Sequence, residues 1–166
     1  MTHYEALDIL AEYVGKVLAD FRLPVRIQKG DTELTERAPD VYKMRLPQSD
    51  DAKNVAPYCI VRYVQSQDKQ TVGRNTLSTA VFRFIFCVYD ENESKGSVNL
   101  LKVMEKLKTD LLKDVAIEKK IRLIKDEGLE MIAYEDDTRP YFAGEMIGTF
   151  QYAPIEREVN YVQENY

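Results

Sequence analysis

Residue types that support acid–base or nucleophilic chemistry are scarce in this chain, whose only histidine is His3. Cys59 and Cys87 sit inside apolar runs, Tyr58-Cys59-Ile60-Val61 and Phe84-Ile85-Phe86-Cys87-Val88-Tyr89. A free thiol in such a run behaves as a small hydrophobe, so both are expected to be reduced core residues. A Cys–His pair would need His3, a terminal residue of the kind that is often mobile, beside a thiol assigned to a core strand. Two separated cysteines and one histidine do not match the clustered ligand spacings of zinc sites. The phosphate-cradling GxGxxG and GxxxxGK[ST] runs are missing from the sequence, which removes nucleotide hydrolysis of those types.

The remaining catalytic candidate is acidic. Glu135, Asp136 and Asp137 are consecutive, with Glu130 and Glu145 nearby. Clustered carboxylates can hold Mg²⁺, and a metal-dependent, nuclease-like enzyme would use such a site. The same run, continuing Asp-Asp-Thr-Arg-Pro, is also the composition of a solvated turn between strands. It carries no lysine at short spacing to act as a base, and Arg139 stays protonated. A second polar stretch, residues 65–75, is longer than a minimal hairpin loop and suits either a contact arm to a partner or a solvated tip. Candidate interaction residues are therefore Gln67, Asp68, Lys69, Arg74 and Asn75 in that stretch, and Asp136, Asp137 and Arg139 in the acidic turn.

These residues need elements to position them. Tyr4, Leu7, Leu10, Ala11, Val14, Leu18 and Phe21 recur at three- and four-residue steps, which predicts an amphipathic helix over 2–21. Thr2 with Glu5 forms a capping-box pattern, and Pro24 is expected to stop the helix. Residues 30–54 read as an irregular excursion with a short strand at 41–46. Strands are predicted over 58–65 and 77–89, rich in Val, Ile, Tyr and Phe. In the second, Ala80, Phe82, Phe84, Phe86 and Val88 share one face, and Val81, Arg83, Ile85, Cys87 and Tyr89 the other. Apolar residues on both faces imply a central strand covered on both sides, a cover that helix on one side and a neighbouring subunit on the other could provide.

A second helix follows, with an expected apolar stripe of Val98, Leu101, Met104, Leu107, Leu111 and Val115. Short strands at 121–124, 129–134 and 142–153 close the domain, and Gly144 and Gly148 share a face of the last, marking a bend, a bulge or a close backbone approach. The predicted fold is α+β: a single domain over 1–158, an antiparallel or mixed β-sheet flanked by two main helices, and a polar tail over 159–166.

With 166 residues the chain fits one domain, and its 23 basic against 28 acidic side chains give a net charge of −5. That balance argues against a general nucleic-acid binder. Glu5, Asp8 and Glu12 stand where a signal peptide would be basic and then apolar, and no apolar run approaches membrane-spanning length, so a soluble protein of a reducing compartment is expected. The aromatic content is uneven, with 11 Tyr and 6 Phe but no Trp.

Four segments in order carry a resemblance: Pro57-Tyr58-Cys59-Ile60-Val61-Arg62; the strand ending Val88-Tyr89-Asp90; the helix over 96–112; and Glu135-Asp136-Asp137-Thr138-Arg139-Pro140-Tyr141-Phe142-Ala143-Gly144-Glu145-Met146. Together, over about 100 residues from Pro57 to Glu158, they resemble the tail terminator or tail completion proteins of long-tailed bacteriophages. The resemblance implies an α+β structural virion protein that forms a hexameric ring on the tail tube, stops its growth and takes part in head–tail joining, with no cofactor and no catalysis expected. Its expected partners are other copies of itself, the tail tube protein and the head–tail connector protein, with DNA only passing through the lumen. The neighbouring connector, or adaptor, component is the alternative within the same setting. The expected location is the virion tail, and the host cytoplasm during assembly. Arg62, Arg83 and Arg139, on or next to strands, are expected to pair with carboxylates of their own chain or of the adjacent subunit. An acidic lumen would repel passing phosphates, and the net charge is compatible with one.

Overall fold

The computed structural model describes residues 1–28, 30, 32–33, 35–48, 55–69, 77–135 and 138–155. Helix α1 spans His3–Leu18 and is capped as its sequence dictates. Thr2 Oγ1 accepts from the Glu5 N–H at 3.1 Å, and Glu5 Oε2 accepts from the Thr2 N–H at 2.6 Å. Leu7, Leu10, Val14 and Leu18 form its buried stripe. The helix ends well before Pro24, which instead lies in strand β1 (Leu23–Pro24), paired antiparallel with β2 (Glu36–Arg37). Helix termination is therefore local, and the proline marks the next element.

The main sheet runs in the order β3 (Asp40–Lys43), β4 (Tyr58–Lys69), β5 (Leu77–Tyr89), β8 (Tyr141–Tyr152), β6 (Ile121–Leu123), and β7 (Leu129–Ala133) also pairs with β8. Only β3 and β4 are parallel; the other pairs are antiparallel, which makes the sheet mixed. Strand β5 sits between β4 and β8 along its length. The second helix, α2, spans Glu93–Lys113. Its start follows from Asp90 and Asn92: the Asn92 side chain accepts from the Lys95 N–H, and the Asp90 carboxylate accepts from the Asn92 N–H at 2.9 Å. The two side chains thus satisfy donors at the turn that carries the chain from β5 into α2.

Both helices lie on the same face of the sheet: α1 packs on β3 and β4, α2 on β5, β7 and β8, and they touch each other. Between helices and sheet lies the core, where Phe82, Phe84, Phe86, Phe142 and Phe150 are fully enclosed. The Phe150 ring meets Phe82 at 5.9 Å and Phe84 at 6.0 Å, both edge to face, the arrangement the ring quadrupole favours. Strand β8 alternates without a break, burying Phe142, Gly144, Met146, Gly148, Phe150 and Tyr152. The two glycines mark a close approach: a Cβ on Gly144 would stand 2.7 Å from the Ile132 carbonyl oxygen and 2.8 Å from Met104 Sδ.

Several expectations are corrected. The buried stripe of α2 is Gly96, Leu100, Val103, Met104, Leu107 and Leu111; Val98 and Leu101 point outward, 49% and 48% exposed, and Val115 lies beyond the helix. The stripe is rotated because Gly96 lets the helix sit directly on the Phe142 ring. Tyr4 is also exposed rather than in the α1 stripe, and its ring lies under the Lys43 ammonium. The strand expected over 41–46 is Asp40–Lys43. Strand β4 continues past residue 65 to Lys69, across a register shift between Tyr63 and Gln65, so Gln67, Asp68 and Lys69 are ladder residues rather than loop. Paired backbone on β5 overrides their polar composition. The tail over 159–166 lies outside the described residues.

Candidate interaction surface

The sheet has a second face, turned away from both helices. Ladder pairing places Ile60 and Arg62 of β4 on it, opposite Ile85 and Arg83 of β5. Across β5, Arg83 pairs with Ile147 and Ile85 with Glu145 of β8; beyond β8, Ile132 of β7 pairs with Glu145 and Glu130 with Ile147. Val81, Ile85 and Ile147 are half-buried, and Ile132 is exposed. Helices therefore cover one face of β5, as expected. Described residues of the chain close the other face at one end, where Ala56, Cys87 and Tyr89 form a small separate cluster with Tyr58 and Tyr141.

Charge on this face is arranged unevenly. Arg62 and Arg83 stand directly opposite each other across β4 and β5, a like-charge pair that repels. Arg83 Nε lies 2.8 Å from Glu145 Oε2, in an ion pair whose carboxylate is 13% exposed. Those two atoms are buried and have no other hydrogen-bond partner among the described residues. Arg62, at the β4 edge, and Glu130, at the β7 edge, are both exposed, and no ion pair or hydrogen bond engages either among the described residues. Beside the ion pair, the Tyr134 hydroxyl has a raised pKa, first from burial and then from the neighbouring Glu145 carboxylate.

Where the face meets the Tyr89 end of β5, it opens into a cleft of about 700 Å³ lined by Tyr58, Tyr89, Tyr141, Arg26, Glu91 and Arg139. Arg26 Nη1 donates to the Tyr141 hydroxyl at 3.3 Å, and Arg139 pairs with Glu93 at the start of α2. Burial pushes the Tyr89 hydroxyl up to about 12, with the adjacent Glu91 carboxylate adding to it. The Tyr89 hydroxyl therefore stays neutral at ordinary pH and donates to Glu91, while the Tyr141 hydroxyl accepts from Arg26; polar tips on apolar rings are the chemistry of a binding surface.

The sequence-derived candidates fall at opposite ends of the sheet. Gln67, Asp68 and Lys69 lie opposite Thr79, Ser78 and Leu77, at the start of β5, while Arg139 lies beside the cleft at its finish. Thirteen residues of β5 put roughly 40 Å between these ends. Arg74, Asn75, Asp136 and Asp137 lie outside the described residues. Asp68 has an internal role: its Oδ2 is 3.7 Å from His3 Nε2, and the His3 ring also stacks on Tyr63 and contacts the Tyr152 hydroxyl through Nδ1. His3, expected to be mobile, is thus held at the start of α1 against β4 and β8. Glu135 is exposed, and Glu145 of the candidate acidic cluster is engaged by Arg83. No group of three or more metal-ligating side chains occurs among the described residues.

Two of the three arginines singled out from sequence, Arg83 and Arg139, pair within the chain, and Arg62 does not among the described residues. The tyrosine cleft is not foreseeable from spacing, because Tyr58, Tyr89 and Tyr141 come from three separate strand ends. Only the ladder brings them together; the sequence signal is the aromatic excess. No protein-family model matches the chain, and comparison with curated proteins finds no match.

Proposed function

We propose that this chain is a structural subunit of a phage or prophage tail, which assembles as a ring on the head-proximal end of the tail tube, ends tube polymerisation there and joins the tail to the head. One observation carries the reading. The central strand β5 has apolar side chains on both faces, yet both helices cover the same one. A face with Ile85, Ile147 and Ile132 around an ion pair whose carboxylate is largely buried is the composition of an interface awaiting a partner. The ordered segments around Pro57, Asp90 and Thr138 supply the tail setting through their resemblance.

The mechanism is geometric. A ring subunit meets its neighbours through two different surfaces, and the closed ring offers the tube one face and the head connector another. Growth stops because the connector-facing side does not reproduce the tube's own surface. Its partners are other copies of the chain, the tube protein and the connector, with DNA crossing only the lumen. The experiment is tube polymerisation with and without the chain, followed by electron microscopy. The expected result is shorter tubes with added density at one end. Tubes of unchanged length with bare ends would overturn the reading.

A further inference from the structure

We infer that neighbouring copies join by seating the outer face of α2 of one copy on the open sheet face of the next. The inference rests on the assembly reading above and specifies its contact. Helix α2 buries one side against the sheet, so its opposite side points away from the molecule. That side carries Val98 and Leu101, half-exposed aliphatics about one turn apart, and Lys102, one turn on from Val98. On the far side of the same sheet lie Ile85, Ile147 and Ile132, with Glu130 beside them at the β7 edge.

Three features make these surfaces complementary. Each carries exposed or half-buried aliphatics among its charged groups, and no described element covers either. Their free charges are opposite in sign. On the helix, Glu105 is engaged by Lys108 at 3.2 Å, whereas Lys102 is exposed and takes part in no ion pair among the described residues. On the sheet, Glu145 is committed to Arg83, and Glu130 is the carboxylate without an ion pair among the described residues. Arg62 holds the opposite edge, three strands away across the same ladder row, so it repels Lys102 and directs it to the β7 edge. Finally, the two surfaces lie on opposite sides of one molecule, so no chain can join its own helix to its own open face. Their contact is necessarily head-to-tail, and a repeated head-to-tail contact closes into a ring when its rotation divides a full turn.

The test uses the full chain. Glu130→Lys and Lys102→Glu should each weaken self-association by about tenfold or more in sedimentation, and the double variant should restore it. Both sites are exposed, and an unchanged melting temperature checks that the fold is intact. In parallel, Leu101→Cys and Ile132→Cys chains are mixed and treated with a short bis-maleimide; Cys59 and Cys87 are buried and stay silent. A covalent dimer of the two different chains supports the contact. Links only between identical variants, or single variants that associate like the parent, overturn this contact while leaving ring assembly standing. A chain monomeric alone and on the tube removes both.

Discussion

Cys59 and Cys87 are one strand apart yet face opposite sides of the sheet, since Cys59 pairs with Phe86 and Cys87 with Tyr58. Burial raises both thiols, Cys87 to about 11 and Cys59 further. Neither ionises near neutral pH, so neither is nucleophilic. A thiol reagent at pH 8 should leave both unmodified in the native chain and titrate both in denaturant. Glu5 shows the opposite shift: bonds from Thr2 hold its carboxyl below the ordinary value. Because the folded value is depressed, the stabilisation is complete above the unfolded value and disappears as pH falls through the folded one. Glu5→Gln should therefore lower the urea midpoint at pH 7 and match the parent in strong acid, as denaturation curves across that range would show.

Among the elements, the close contacts of β8 set the strictest demands. Gly144→Ala places a methyl 2.7 Å from the Ile132 carbonyl oxygen, and Gly96→Ala would drive a Cβ into the Phe142 ring. Each should cost about 1–3 kcal/mol, through displaced backbone in the first case and a displaced core ring in the second. Thermal melts of the two variants would measure it. The strands are legible from their β-branched and aromatic runs, and β5 and the alternation of β8 follow closely from the sequence. The α2 stripe does not, because Val98 and Leu101 fit the helical period as well as Leu100 and Val103 do. Gly96 against Phe142 decides the rotation, and that contact spans 46 positions. The end of β4 is hidden for a related reason, since Gln67, Asp68 and Lys69 are polar and only their partners on β5 hold them in a strand.

At the scale of the whole molecule, two helices and a mixed sheet leave the sheet covered on one side, and the uncovered side sets aliphatic residues around an ion pair whose carboxylate is largely buried. The two faces of β5 are visible in the sequence, and so is the need for two covers. Which residues of the second face keep a free charge is not, because that depends on the diagonal reach of Glu145 to Arg83 rather than to Arg62. The proposed ring follows from that unsatisfied side. The most direct test of assembly is native mass spectrometry of the intact chain, alone and eluted from tail tubes. A closed ring of the six copies that the resemblance implies predicts one dominant species at six times the 19.2 kDa chain mass. A 19.2 kDa species in both samples would contradict it.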